Sequence, residues 1–286
     1  MIAEDDPLWF TETLHDGVAQ RLAISRLIHR GRTAWQDVIV FDNPVLGRVV
    51  ALDGALQVTE RDEFIYHEML THVPILAHGT VRRVLIVGGG DGGILRRCLM
   101  HAVAEVTMIE IDGEFVELMR RHVPSIGGAA FEDPRTRLVI GDGAEFMRTA
   151  RGYDVIIVDS TDPTGPGAVL FSPEFYADCK RALVPGGVLV TQSGVPFLQA
   201  DELRLVQGRL AAAFADVTCY QAAIPTYYGG AMAFGWASDD ADLRRRDLPR
   251  LTARYHAAGL KTRYYTPEIH RAAFALPAYF TPDATE

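Results

Sequence analysis

Residues 81–93 read VRRVLIVGGGDGG, an aliphatic run that ends in a glycine-rich turn and passes straight into the helix-like stretch GILRRCLMH of residues 93–101. An apolar run without polar alternation predicts a strand covered on both faces, and the change to helical spacing after the glycines predicts a crossover. The step recurs downstream: VTMIEID at 106–112 is followed by EFVELMRRH at 114–122, then by RLVIGD at 137–142 and YDVIIVDS at 153–160. Strands alternating with crossover helices predict a parallel sheet. Ser172 and Pro173 read as the N-cap and first-turn proline of a helix reaching Leu183, and Pro185-Gly186-Gly187 ends it before the strand VLVTQSG at 188–194.

The C-terminal third predicts a helix near 199–214, a strand DVTCYQAAI at 216–224, a turn at Tyr227-Tyr228-Gly229-Gly230, and a strand AMAFGWAS at 231–238. Two strands joined by a short glycine turn run antiparallel. The fold class expected is therefore α/β: a methyltransferase-like Rossmann domain whose mostly parallel sheet carries an antiparallel terminal strand. Toward the N-terminus, residues 35–60 are short β-rich runs punctuated by Asn43-Pro44, Gly47 and Asp53-Gly54, which predict a small antiparallel β domain. From Arg61 to His78 the pattern turns helical, with Phe64, Ile65, Leu70 and Val73 near 3.6-residue spacing until Pro74 interrupts it. A division into residues 1–60 and residues 61–286 follows.

The 286 residues are 48% hydrophobic and 23% charged, as in ordinary globular proteins. The net charge of -9 repels phosphate backbones and favours cationic partners, so nucleic acid is not an expected ligand. Cys98, Cys179 and Cys219 are odd in number and widely spaced, which indicates neither a disulfide framework nor a zinc ribbon and fits a reducing cytoplasm. The opening MIAEDDPLWF is acidic where a signal peptide is basic, and no apolar run approaches the ~18 residues of a membrane span.

Chemistry concentrates where the predicted strands end. Gly88-Gly89-Gly90-Asp91-Gly92-Gly93 satisfies G-x-G-x-x-G by letter, a weak signal alone, since a tight strand-to-helix turn reads the same way. Asp91 puts a carboxylate where a pyrophosphate would otherwise sit, so the loop suits a sulfonium or ammonium. The second strand ends in Glu110-Ile111-Asp112, with Glu110 the better ribose ligand; the third ends in Gly141-Asp142-Gly143, and the fourth in Asp159-Ser160-Thr161-Asp162. One such acid is an ordinary helix cap, but four at one sheet edge point to a cationic ligand bearing a nucleoside. His67-Glu68-Met69-Leu70-Thr71-His72 has one residue too many for a zinc helix, and Glu60-Arg61-Asp62-Glu63 taken alone reads as a solvated charged turn.

The segments ALDGALQVTERDEFIYHEMLTHVP (51–74), VLIVGGGDGG (84–93), VIIVDSTDPTGPG (155–167) and QAAIPTYYGG (221–230) resemble, in order and interval, the signature blocks of spermidine synthases, the polyamine aminopropyltransferases. The resemblance runs from about Trp9 to Leu276. It implies aminopropyl transfer from decarboxylated S-adenosylmethionine to putrescine, giving spermidine and methylthioadenosine, with the donor a co-substrate and no resident cofactor or metal. Carried over by position, Asp159 matches the proton acceptor and Asp162 an acid on the diamine. Asp91 matches the carboxylate at the donor's aminopropyl end, Glu110 the ribose ligand, and Asp142 with Gly143 the adenine contact. Gln36, Gln57 and Pro166 fall on donor-pocket positions, and Tyr66, His67 and Tyr227 on amine-pocket positions. The residues RLIHRGRTA at 26–34 and Ala168-Val169 depart from the usual pattern. A homodimer or homotetramer is implied.

Other readings of the scaffold are another diamine such as cadaverine as acceptor, an amine N-methyltransferase using intact S-adenosylmethionine, a nicotinamide-dependent oxidoreductase, and a noncatalytic polyamine sensor. Asp91 and the final hairpin count against the oxidoreductase, and Asp159 together with Asp162 against the sensor.

Overall fold

The computed structural model describes residues 8–160 and 165–280. It opens with an antiparallel hairpin, β1 (Leu8–His15) and β2 (Val18–Ile24), and a four-stranded antiparallel sheet of β3 (Arg26–Arg32), β4 (Asp37–Asn43), β5 (Gly47–Leu52) and β6 (Ala55–Thr59). The meander expected over 35–60 is β4 to β6. Strand structure begins earlier, however: β2 and β3 are largely exposed and carry Arg21, Arg26, Arg30 and Arg32, so no apolar period marks them. The sheet is covered on both sides. Val38, Val40, Val50, Leu52 and Val58 pack on Phe115 and Met119, while Phe41, Val49, Ala51 and Leu56 face Phe10 of the hairpin.

Next come α1 (Glu63–His78), β7 (Arg83–Gly88), α2 (Gly93–Cys98), β8 (Glu105–Glu110), α3 (Gly113–His122), β9 (Thr136–Ile140), α4 (Gly143–Thr149) and β10 (Tyr153–Asp159). The chain continues through α5 (Pro173–Ala182), β11 (Leu183–Gln192), α6 (Ala200–Ala213), β12 (Asp216–Ala223), β13 (Ala231–Ser238), α7 (Leu248–Ala257) and α8 (Pro267–Ala273). These strands form one seven-stranded sheet in the order β12-β13-β11-β10-β7-β8-β9. β7 to β11 pair in parallel, and β13 runs antiparallel between β11 and β12.

Alternation along the parallel strands feeds two cores, as burial on both faces requires. Val84, Ile86, Val155 and Ile157 pack beneath α1 and α2, whereas Leu85, Val87, Ile156 and Val158 pack against α5 and α6. The chain leaves β7 for β8 on one side and later returns to β10 on the other, which creates a switch point at the carboxyl ends of β7 and β10. Ligand crevices of open α/β sheets lie there.

Helix α1 corrects one expectation: it runs through Pro74 to His78. Every residue from Ile65 to Ala77 is buried, so packing on all sides outweighs the ~3 kcal/mol penalty of an interior proline. The Arg254 guanidinium of α7 donates to the carbonyls of Leu76 and Ala77, at 2.6 and 2.7 Å, and so satisfies the helix end. His67 and His72 serve different partners. The buried Glu68 between them accepts the backbone N–H groups of Arg263, Tyr264 and Tyr265 at 2.9–3.1 Å, while His72 Nδ1 meets His101 Nε2 at 2.9 Å.

Glu68 thus fastens the segment before α8 to α1. Replacing it with alanine strands those donors, and Glu68→Ala is expected to lower unfolding free energy by about 3 kcal/mol in urea titration; an unchanged midpoint would show that the contact contributes nothing.

Candidate active site

A cavity of about 470 Å³ opens at the switch point, between the ends of β7, β8 and β10 on one side and β1, β6 and residues 224–228 on the other. Its floor depends on glycine. Gly88 holds φ at 84°, and a Cβ there would lie 2.0 Å from the carbonyl oxygen of Asp159, to which Gly89 N–H donates at 3.0 Å. Only a bare backbone lets the two strand ends close, and this closure sets the Asp91 loop beside Asp159.

Asp91 is held from two directions. Its Oδ1 accepts from Gly93 N–H at 2.7 Å and its Oδ2 lies 3.2 Å from His67 Nε2. His67 Nδ1 donates to Glu63 Oε2 at 2.7 Å, one helical turn earlier, and Glu63 in turn accepts from Arg97 at 3.0 and 3.2 Å. A Cβ on Gly93 would fall 2.1 Å from the His67 ring, so glycine at the start of α2 makes room for it. Burial opposes a charge on His67, but Asp91 and Glu63 at its two nitrogens hold its pKa up at about 10. Burial also pushes Glu63 upward, and is overcome by His67 and Arg97, which hold it down at about 2. Arg97, Glu63, His67 and Asp91 thus form a row of alternating charge.

Across the loop, Tyr66 Oη donates to Asp159 Oδ1 at 2.5 Å. Burial, then the Asp91 carboxylate, raises the Asp159 pKa to about 6, with Tyr66 and His67 pulling the other way. Tyr227 stands edge-on to Tyr66, ring centres 6.2 Å apart, and its hydroxyl donates to the Gln57 carbonyl. Tyr66, Gln57 and Tyr227 all line the cavity.

On the β8 side, Glu110 is 8% exposed and takes the Asp112 N–H at 2.9 Å. Burial raises its pKa to about 7, with the Asp112 and Asp159 charges adding to the rise and backbone N–H groups opposing it. Asp112 is committed to structure: it caps α3 through Phe115 N–H and accepts from Thr33 Oγ1 at 2.6 Å and Gln36 Nε2 at 2.8 Å. Gln36, from the connection between β3 and β4, is thereby clamped at the cavity edge. Asp142 caps α4, accepting from Ala144 and Glu145 N–H, and Gly143 begins that helix where a Cβ would press on Val87. Asp162 lies outside the described residues, and Pro166 is placed by its backbone within the 3-10 turn Gly165–Phe171.

The sequence reading assigned no site role to Glu12, Asp53, Asp62 or Glu63, which also line the cavity. Glu12 in β1 is 3% exposed and accepts from Leu56 N–H at 2.7 Å and Gln20 Nε2 at 2.6 Å. Asp62 is 4% exposed and gathers Thr59 Oγ1, Thr226 N–H and Thr226 Oγ1 within 2.6–3.0 Å. The segment Glu60–Glu63 is accordingly no solvated turn: Asp62 and Glu63 point inward because Thr226, His67 and Arg97 supply their partners. Thr59 is a local partner of Asp62, but Thr226 reaches Asp62 and Leu56 reaches Glu12 from distant segments, which no local spacing marks.

Fold and site together define an α/β group-transfer enzyme of the methyltransferase-like kind, with a cavity rimmed by carboxylates. A family model described as spermine/spermidine synthase domain matches residues 63–247, and one described as spermidine synthase tetramerisation domain matches residues 8–60. The chain is 54% identical over 272 residues to polyamine aminopropyltransferase 1 of Pseudomonas aeruginosa, covering 94% of this chain and 95% of that one. It is 55% identical over 274 residues to a polyamine aminopropyltransferase of Ruegeria sp., covering 95% and 96%. A crystal structure of spermidine synthase in complex with the transition state analogue AdoDATO superposes with a TM-score of 0.91 at 38% identity, covering 96% of this chain and 94% of that one. Spermidine synthase from Thermotoga maritima gives 0.89 at 37% identity over the same shares. The chain belongs to the spermidine synthase family and is an aminopropyltransferase. Among the described residues no helix is long and apolar enough to cross a membrane.

The His67 charge links the site to stability. Folded His67 keeps its proton to about pH 10 while the unfolded ring releases it near 6.5, so the imidazolium contribution is complete below pH 6.5 and fades as pH rises through 10. Guanidinium melts of the wild type and His67→Gln are expected to differ most below pH 6.5 and to converge toward pH 10; a gap independent of pH would contradict the doubly bridged ring.

Proposed function

We propose that the enzyme transfers the aminopropyl group of decarboxylated S-adenosylmethionine to putrescine, giving spermidine and methylthioadenosine. The observation that carries this reading is the pair of carboxylates, Asp91 and Asp159, brought to one cavity by the Gly88–Asp159 closure and close enough for one to raise the other's pKa. Two facing anions suit two cations: the donor's ammonium at Asp91 and the acceptor's amine at Asp159. Glu110, Gln36, Asp142 and Gly143 are proposed to hold the ribose and adenine, with Gln57 and Pro166 completing the donor pocket. Tyr66, His67, Tyr227 and Asp162 are proposed to enclose the amine.

The acceptor nitrogen attacks the propyl carbon attached to sulfur; the N–C bond forms as the C–S bond breaks, its electron pair neutralises the sulfonium, and Asp159 takes the proton shed by nitrogen. Neutralising a lysine-like amine at pH 7 costs roughly 4.6 kcal/mol, more than an ordinary carboxylate recovers. Burial that lifts Asp159 to about 6 narrows the gap, while alignment and electrostatic stabilisation supply most of the rate. Asp91 also selects the donor, because the carboxylate of intact S-adenosylmethionine would face it at close range. The match of residues 8–60 to a tetramerisation domain supports a dimer or tetramer.

Asp159→Asn is expected to cut kcat by about a thousandfold or more while methylthioadenosine still binds in calorimetry, the loss reflecting proton transfer and charge stabilisation; near-normal turnover would remove Asp159 from this role. For the wild type, kcat/KM for the diamine is expected to fall below about pH 6 as Asp159 takes up a proton, so a flat profile between pH 5 and 7 argues against it. Mixtures of putrescine, cadaverine and longer amines with each donor, read by product mass, decide acceptor and donor: gain of one methyl group in place of an aminopropyl group would replace the reading with an N-methyltransferase.

A further inference from the structure

We infer that Glu63, anchored by Arg97, is a positioning residue that fixes His67 as the counter-cation of Asp91 and thereby leaves Asp159 ionised to act as the base. The inference rests on the proposed aminopropyl transfer and assigns a role to two buried charges, Glu63 at the cavity lining and Arg97 behind it.

The geometry demands such a device. Asp91, Asp159 and Glu110 crowd one switch point, and carboxylates sharing a site drive a proton onto one of their number. Tyr66 gives Asp159 a hydrogen bond, yet it brings no charge at working pH, since burial and the Asp159 charge keep its hydroxyl protonated. The balancing charge therefore comes from the imidazolium. The groups facing His67 are Glu63 and Tyr66 from α1, Asp91 from the loop after β7, Arg96 and Arg97 of α2 acting through Glu63, and Asp159 at the end of β10. Of these, Glu63 alone is an anion on the Nδ1 side. Without it, the anions on the other side of the ring, Asp91 and beyond it Asp159, must hold the proton on a ring that is 2% exposed, against burial.

Arg97 fixes where Glu63 points. Its Nη2 lies 3.0 and 3.2 Å from the two carboxylate oxygens, it is 5% exposed, and it enters from α2, the helix whose first N–H, that of Gly93, donates to Asp91. One helix thus presents Asp91 to the ring at its N-terminal side and clamps the ring's other partner a turn later. The row of alternating charges is continuous from the protein interior to the donor site.

The test has two arms on the full-length protein. In the unliganded wild type, the His67 ring followed by 15N NMR, assigned by difference against His67→Gln, stays protonated through pH 8; in Glu63→Gln it is already neutral at pH 6, and Glu63→Asp restores part of the shift. In steady-state kinetics, Glu63→Gln moves the acid limb of kcat/KM for the diamine upward by about one pH unit, because the ring, neutral across that limb, no longer offsets the Asp91 and Asp159 charges. A wild-type ring titrating near pH 6.5 overturns the inference without any variant, as does a Glu63→Gln enzyme whose plateau falls while the limb stays in place. If Glu63→Gln does not fold, the wild-type titration and Glu63→Asp decide. Absence of any aminopropyl product from the wild type would defeat the proposed reaction instead, leaving the NMR arm to judge the charge on His67.

Discussion

Buried carboxylates need partners, and this fold collects them at the one place where its strands diverge. The carboxyl ends of β7, β8 and β10 bring Asp91, Glu110 and Asp159 into a single cleft. Most of the surrounding architecture can be understood as supplying compensation: backbone N–H groups for Glu110 and Asp91, a phenol for Asp159, and an imidazolium backed by Glu63 and Arg97 for Asp91. Removing one member would leave its neighbour as an uncompensated buried charge, far costlier than the loss of an exposed ion pair.

The N-terminal strands complete the cleft. The small sheet meets the parallel domain through Asp112, which draws Thr33 and Gln36 inward, through Asp62, which ties Thr59 to Thr226, and through Tyr227, which donates to the Gln57 carbonyl. Apolar packing of Val38, Val50 and Leu52 against α3 supplies the non-directional attraction, and these polar ties set the register in which it occurs. The cavity wall is therefore built from segments far apart in the chain but mutually fixed.

Helix α1 connects the two parts. One face gives Tyr66 and His67 to the cavity, another gives Glu68 to the amides of Arg263–Tyr265, and the remainder lies in the core. A helix buried on all sides shows little periodicity, and a proline within it persists because surrounding contacts outweigh its local penalty.

Several features were determined by the sequence alone. The parallel sheet was legible because doubly covered strands are unbroken apolar runs separated by helical spacing, and the final antiparallel pair because a glycine turn joins its strands. The acids at the strand ends were legible for the same reason: a residue just past an apolar run lies at the sheet's edge. The tertiary structure alone decided which acids share a cavity and in what state. Glu12 and Asp62 had no cue, since Leu56, Gln20 and Thr226 reach them only on folding, and Arg97 meets Glu63 across 34 residues. Charge state depends on burial and on neighbours within a few ångströms, and both are set by long-range packing, so the row from Arg97 to Asp91 exists only in the folded chain.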